Sequence, residues 1–345
     1  MSQELRIIDE NLNRLSEGLR VLEDIARMII NDSALTQQLK TMRHELVKAD
    51  LPLNTRLLQY RDSENDIGVE MVVSGEKNTK TLSDILVSNS RRVQESLRTL
   101  EEVSKLPDMP LDSGKFKQAR FNIYTIERNL LSRLLRQDKI ERLTGLYVII
   151  DTEALQGRDH IKVAGQAIHG GARTIQLRDK VSRKKRLLYI AQRLKELCVR
   201  NNVLFIINDH LDLALATDAD GLHLGQDDLP ISIARKQLPI GKIIGGSAES
   251  FDQAITAAAD GADYIGVGSI YPTSSKQDIE VCGLSVLKQV TRTVKIPVVA
   301  IGGINKSNIK KVMETGADAV AVISAVLQAA SPEIATRELV GLIEK

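Results

Sequence analysis

The sequence has no tryptophan, and phenylalanine and tyrosine together bring the aromatic share to only 3%. That leaves little for the stacking platforms on which single-stranded nucleic acids lie. The formal net charge is +2, so neither a nucleic-acid partner nor a membrane surface is expected, although a local anion site remains open. Cysteine is scarce as well. Cys198 and Cys282 have no CxxC spacing and no histidine cluster beside them, which speaks against a disulfide framework and against structural zinc. No stretch approaches roughly 18 uninterrupted apolar residues, and residues 1–6 show no apolar leader segment. The chain reads as cytoplasmic. A G-x-S-x-G elbow and a dinucleotide fingerprint opening on a strand are also missing, which removes the common serine hydrolases and nicotinamide enzymes.

What is present divides into two textures, consistent with two domains, over 1–138 and 139–345. In the first, Ile8, Leu12, Leu15, Leu19, Leu22, Ala26 and Ile29 follow a spacing of three and four, which predicts one long amphipathic helix. Ser33 is placed to cap a second helix carrying Leu35, Leu39, Met42 and Leu46. The pattern then returns. The run from Asn11 to Ile25 matches the run from Asn89 to Val103, with Asn, Arg, Glu, Leu, Arg, Leu and Glu identical in register, and the stretch at Leu39 matches the stretch at Phe116 more weakly. A duplicated helical hairpin, giving an all-α four-helix bundle, is the expectation. Residues 56–80 read as a long polar connection between the repeats. The repeated Asn11/Arg14 and Asn89/Arg92 pairs suit either interhelical hydrogen bonding or a polar site.

In the second texture, short β-branched runs at 145–150, 174–177, 203–207, 221–224, 242–246, 264–267, 298–301 and 319–323 alternate with helical patterns. Helices are expected to begin near Asp159, Ser182, Leu211, Ile231, Phe251, Gly283, Lys306 and Pro332. Eight such alternations predict an α/β fold, a (β/α)8 TIM barrel, whose active site sits at the C-terminal strand ends. The residues just past those ends are Gln176, Arg178 and Lys180; Asn208 and Asp209; Gln226, Asp227 and Asp228; Ser247; the run from Tyr271 to Lys276; Gly302 and Gly303; and Ser324. Asp209 and Asp228 suit two readings, caps of the helices that follow or carboxylates for a hard cation. Cations beside them favour a diphosphate bridged to Mg²⁺. Gly302-Gly303 and Ser324 fall where barrels often hold a phosphate. His210 and His223 read as packing or loop-holding residues.

The motifs Gln176-Leu-Arg-Asp-Lys180, Asn208-Asp-His-Leu-Asp, Gly221-Leu-His-Leu-Gly-Gln-Asp-Asp228, Tyr271-Pro-Thr-Ser-Ser-Lys276 and Ala300-Ile-Gly-Gly303 together resemble the thiamine-phosphate synthase family. The resemblance covers residue 145 to the C-terminus, and the helical half is similar to the extension of the longer, cyanobacterial-type members. It implies a transferase joining a 4-aminopyrimidine diphosphate to a thiazole phosphate, or its carboxylated form, with release of pyrophosphate. By the same resemblance Gln176, Leu177, Arg178, Asp179, Lys180, Asn208, Ser247 and Lys276 bind the pyrimidine diphosphate, with Lys276, Arg178 and Ser247 catalytic. Thr273, Ser274, Ser275, Gly303, Ile323 and Ser324 bind the thiazole phosphate, and Asp209 and Asp228 ligate Mg²⁺. Two positions depart from the family pattern: Glu249 stands where many members have His, and Ser275 where Thr is usual. The alternative is a thiazole tautomerase or regulator on the same barrel. A homo-oligomer, or a partner enzyme of the thiamine pathway docking through the helical domain, is compatible with either.

Overall fold

The computed structural model describes residues 2–47, 51–61, 81–107, 109, 111–273 and 281–343. Two compact units divide the chain, Met1–Leu135 and Arg136–Lys345.

In the first unit, helix α1 (Ser2–Asp24) carries the predicted stripe, and Leu5, Ile8, Leu12, Leu15, Leu19 and Leu22 are all buried. The helix widens into a π-turn over Ile25–Ile29, where Ile30 N–H bonds to the Ile25 carbonyl at 3.1 Å. Helix α2 (Ser33–Val47) follows. Its cap is Asp32 rather than Ser33: the Asp32 carboxylate accepts from the N–H groups of Ala34 and Leu35 at 2.9 and 3.0 Å, satisfying donors that the first helical turn leaves open. A further helix, α3 (Leu51–Tyr60), occupies the start of what the sequence suggested was connection, anchored by buried Leu53 and Leu57. Residues 62–80 lie outside the described residues. Helices α4 (Leu82–Val103) and α5 (Ser113–Glu141) form the second repeat, so the described residues of this unit contain five helices where four were expected.

The duplication is written into the ion pairs. Arg43 of α2 grips Glu23 at 3.0 and 3.1 Å, and Arg120 of α5 grips Glu101 with the same two distances. Asn11 and Asn89 each donate to the carbonyl four residues back, at 2.8 Å in both cases. The repeated asparagines therefore serve their own helices. Gly18 lets α1 meet α4 closely, since a Cβ there would lie 2.7 Å from the Val93 side chain.

The second unit takes in the last turns of α5. Strands β1 (Gly145–Asp151), β2 (Thr174–Arg178), β3 (Leu204–Asn208), β4 (Gly221–Leu224), β5 (Ile243–Ala248), β6 (Tyr264–Val267), β7 (Val298–Ile301) and β8 (Ala319–Val322) are all parallel and close into a barrel, with Gly145 paired to Ala319. Around it lie α6 (His160–His169), α7 (Lys184–Arg200), α8 (Leu211–Ala216), α9 (Ile231–Gln237), α10 (Phe251–Ala259), α11 (Gly283–Thr293), α12 (Ile309–Met313), α13 (Ser324–Leu327) and α14 (Pro332–Ile343). The four-residue α13 had no counterpart in the sequence reading.

Strand parity sorts the barrel into two cores. Tyr147, Ile149, Leu204, Ile206, Ile243, Tyr264, Val299, Ala319 and Ala321 fill the interior, while their neighbours in sequence pack outward against the helices. The N-terminal end of the barrel is closed by Leu143 and Ile140. Arg136, Lys139 and Arg142 hold that turn by donating to the carbonyls of Ile240, Gly241 and Asn202 at 3.2, 2.8 and 2.8 Å. An Ala-Asp pair precedes β4, β6 and β8, and each aspartate (Asp220, Asp263, Asp318) accepts from an N–H of the preceding strand, at 2.9, 2.8 and 2.8 Å. These three strands are thereby pinned in register.

Candidate active site

At the C-terminal end of the barrel the interior opens into a cavity of about 120 Å³. Its walls come from all eight strand ends: Ile149 of β1, Gln176 and Arg178 of β2, Asn208 of β3, His223 of β4, Ser247 of β5, Gly266 and Gly268 at β6, Ile301 to Ile304 at β7, and Val322 to Ser324 at β8 are among the lining residues. Parity explains the selection on β2. Gln176 and Arg178 face inward; Leu177, between them, packs outward among the helix-facing core. Asp179 is buried below the loop, accepting from the N–H groups of Val181 and Ser182 at 3.0 and 2.8 Å, and does not line the cavity. Thr273 and Ile323 do line it. Ser274, Ser275 and Lys276 lie outside the described residues.

Polar groups in the wall are tied to one another. Gln176 donates to Asn208 at 2.6 Å, and His223 Nε2 lies 2.9 Å from the Ser247 hydroxyl. Arg178 pairs with Asp151, the last residue of β1, whose other oxygen accepts from Ala154 N–H at 2.8 Å. Asp151 escaped the sequence reading because the apolar run was ended at Ile150; the strand-end rule applied one residue further on β1 would have found it.

Asp209 and Asp228 sit beside the cavity without lining it, and they meet each other: their carboxyls share a hydrogen bond. Burial, then the bond to Asp228 and its charge, push the Asp209 carboxyl above the ordinary range. Burial acts the same way on Asp228 but is outweighed by the bonds from Asp209 and from Gly225 N–H, so its carboxyl lies below that range. Each carboxylate's charge works against ionisation of the other. Lys180 Nζ is 3.4 Å from Asp209. Neither aspartate is the cap that the sequence allowed: α8 is preceded by His210 and α9 by Pro230, with no side-chain cap at either. Asp209 instead takes a left-handed backbone, φ 61°, which is uncommon for a residue with a side chain. His210 Nδ1 accepts from Lys184 Nζ at 3.1 Å, away from the cavity wall.

Across the cavity, Gly302 and Gly303 both have positive φ, 100° and 64°. A Cβ on the first would lie 2.2 Å from the Ser269 hydroxyl, and on the second 2.5 Å from the Pro272 carbonyl. Both conformation and space therefore require glycine, and the loop's backbone is left free to approach a ligand. Glu249, at the end of β5, lines the same cavity, and its carboxylate forms no hydrogen bond or ion pair among the described residues.

With this geometry the comparisons with known proteins agree. A family described as thiamine monophosphate synthase matches residues 146–326. Thiamine-phosphate synthase of Nostoc punctiforme is 36% identical over 340 residues, covering 99% of this chain and 94% of that protein. The chain belongs to the thiamine-phosphate synthase family. The Synechocystis member is 37% identical with 99% and 96% coverage, so the relatives extend over the helical unit as well as the barrel. That unit is also matched, over residues 6–129, by the ThiD2 family. Among solved structures, thiamine phosphate pyrophosphorylase from Pyrococcus furiosus superposes with a TM-score of 0.56 at 42% identity, covering 60% of this chain and 98% of that one. No helix among the described residues is long and apolar enough to cross a membrane.

Proposed function

We propose that the chain is a thiamine-phosphate synthase, a transferase of thiamine biosynthesis, with the reaction carried out by residues 139–345. The observation that carries this reading is one cavity flanked on one side by the Asp209/Asp228 pair with Lys180 and Arg178, and on the other by the Gly302-Gly303 loop and Ser324. Two anionic substrates are thereby accommodated at opposite edges of a small polar chamber. Such substrates belong to the cytoplasm.

In this reading Gln176, Asn208 and Ser247 hold the aminopyrimidine, and Arg178, Lys180 and Lys276 take its diphosphate. Thr273, Ser274, Ser275, Gly303, Ile323 and Ser324 take the thiazole phosphate, where backbone N–H groups and the start of a short helix meet an anion. Leu177 and Asp179 contribute through the backbone of the β2 loop, since their side chains face away. The acid pair suits Mg²⁺, which prefers one or two carboxylates together with water and phosphate oxygens; among the described residues no third acidic, histidine or cysteine ligand converges there. The ion's contribution would be to neutralise charge on the departing diphosphate. The bond between the pyrimidine methylene carbon and the diphosphate oxygen breaks, its electron pair leaving with the diphosphate. The 4-amino group donates into the ring and stabilises the methylene cation. The thiazole nitrogen lone pair then forms the new C–N bond, and no general base is required. Stabilisation of charge by placed groups is the main demand on the protein.

A tautomerase or regulator on the same barrel has no use for the acid pair or for Arg178, and nothing in the cavity favours it. The test supplies both substrates with Mg²⁺ and measures thiamine phosphate and pyrophosphate together. Equal amounts of both products are expected from the intact chain, and Asp209→Ala and Asp228→Ala are expected to abolish release while retaining the fold. Full turnover in both variants without metal would refute the assignment.

A further inference from the structure

In the wall of the cavity, six side chains from six strands form one continuous hydrogen-bonded chain. Ser247 Oγ is 2.9 Å from His223 Nε2, and His223 Nδ1 is 3.1 Å from the Tyr264 hydroxyl. Tyr264 is 3.2 Å from the Tyr147 hydroxyl, Tyr147 donates to Gln176 Oε1 at 2.5 Å, and Gln176 Nε2 donates to Asn208 Oδ1 at 2.6 Å. The barrel is built to admit it. A Cβ on Gly245 would lie 2.1 Å from the Tyr264 ring and 2.5 Å from His223 Nδ1, so only glycine at that register leaves room for both rings.

Counting protons gives the chain a direction. Tyr147 and Tyr264 are fully buried, and burial pushes both phenols above their ordinary range, so both keep their protons. Tyr147 has one proton and spends it on Gln176, whose amide oxygen cannot donate. The contact between the two phenols therefore uses the proton of Tyr264. With that proton committed, Tyr264 can only accept from His223, which fixes the hydrogen on Nδ1. With that ring proton placed on Nδ1, the singly protonated imidazole accepts at Nε2 from Ser247. The reverse order would leave two phenolic oxygens facing each other with no hydrogen between them.

The geometry points to Tyr147 and Tyr264 as positioning residues that hold Ser247 as an acceptor and the Asn208 amide as a donor toward the bound pyrimidine. The inference rests on the synthase reading above. A 4-aminopyrimidine presents N–H donors at its exocyclic amine and lone pairs at its ring nitrogens, the complement of those two ends. A 4-oxo ring presents an acceptor where Ser247 also accepts, and accommodating it requires every link of the chain to reverse. Sites that fix donor and acceptor in this way reject mismatched analogues strongly. The direction also favours the reaction: as the methylene cation forms, positive charge spreads to the amine, and its N–H groups meet a hydroxyl already polarised by His223.

The test has two arms, both on the full-length chain. In the first, ring-¹⁵N-labelled histidine is observed by NMR, with the His223 signal assigned by its loss in His223→Gln. A proton on Nδ1 is expected, and a proton on Nε2 in the wild type overturns the proposal. In the second, kcat/KM is compared for the 4-amino and 4-oxo pyrimidine diphosphates with thiazole phosphate in excess. Tyr147→Phe frees Tyr264 to donate to His223, so reversal becomes cheap. The ratio favouring the 4-amino substrate is expected to fall by about tenfold or more, with the KM for thiazole phosphate unchanged. An unchanged ratio, with both substrates losing rate alike, marks a merely structural role and overturns the proposal. If the wild type forms no product from either substrate, the synthase reading itself fails and the inference falls with it; the first arm still reports the tautomer, so the two failures are told apart.

Discussion

Asp151, at the end of β1, closes on the guanidinium of Arg178 at the end of β2, with side chains only 6% and 12% exposed. Arg178 lines the cavity and Asp151 does not. The aspartate therefore aims the arginine. Asp151→Asn keeps the shape and removes the charge that holds the guanidinium in place. The KM for the pyrimidine diphosphate is expected to rise by about tenfold, corresponding to a loss of about 1.4 kcal/mol of binding, while the KM for thiazole phosphate stays put. Steady-state kinetics with each substrate varied in turn checks this, and equal rises in both would mean the barrel mouth as a whole had loosened.

The twin pairs Arg43–Glu23 and Arg120–Glu101 join the two helices of each repeat, and both glutamates are almost closed to solvent. Removing either carboxylate takes away the charged oxygen that accepts two N–H groups of one arginine in the middle of a hairpin. Glu23→Gln and Glu101→Gln are expected to lower the melting temperature by similar steps, and the double variant by about their sum because the pairs belong to separate hairpins. Synthase turnover below the melting range is expected to be unchanged. Thermal unfolding followed by circular dichroism, with turnover assayed in parallel, separates these effects; a large asymmetry between the single variants would show that the repeats have diverged in stability.

The ease with which this duplication could be read has a physical cause. Glu23 and Glu101 recur in register because each must meet an arginine on the following helix, and a charged pair leaves a mark that apolar packing does not. The strands were legible for a related reason: buried on both sides, they read as short β-branched runs, and their observed bounds differ from the expected ones by two residues at most. The same double burial hid Tyr147 and Tyr264. A strand with no polar face gives no alternation from which to tell inward from outward, so only the closed register shows that these two phenols meet inside. Helix α3 was missed because two buried leucines, Leu53 and Leu57, are too few to set up a periodicity, although Pro52 in its first turn was a usable start signal. Helix α13, at four residues, is shorter than any periodicity can report.

The barrel's own lower boundary can be placed by truncation. Leu143 is fully buried against the interior cluster, and Arg136 and Lys139 satisfy carbonyls of the loop before β5. A fragment starting at Arg136 keeps this closure and is expected to fold and retain the kcat of the intact chain. A fragment starting at Thr144 loses the leucine, worth about 2 kcal/mol of burial, and opens the apolar end of the barrel to water. It is expected to melt lower and to aggregate. Differential scanning calorimetry and light scattering distinguish the two, and an inactive but well-folded Arg136 fragment would mean that the helical unit contributes to catalysis.

Glu249 carries the last prediction, because it is an acid facing a cavity that otherwise collects anions. Its carboxylate lines the same chamber as Gly302, Gly303 and Ser324, and no described residue pairs with it. A thiazole phosphate bearing a ring carboxylate would bring a second negative charge toward it, and like charges repel. The uncarboxylated thiazole phosphate meets no such conflict at the ring. Wild type is therefore expected to prefer the uncarboxylated substrate in kcat/KM, and Glu249→Gln, which keeps size and removes charge, should narrow that preference by about fivefold to tenfold. The comparison needs both thiazoles at fixed pyrimidine diphosphate. A preference that is unchanged in Glu249→Gln would place the carboxylate too far from the thiazole ring to act on it.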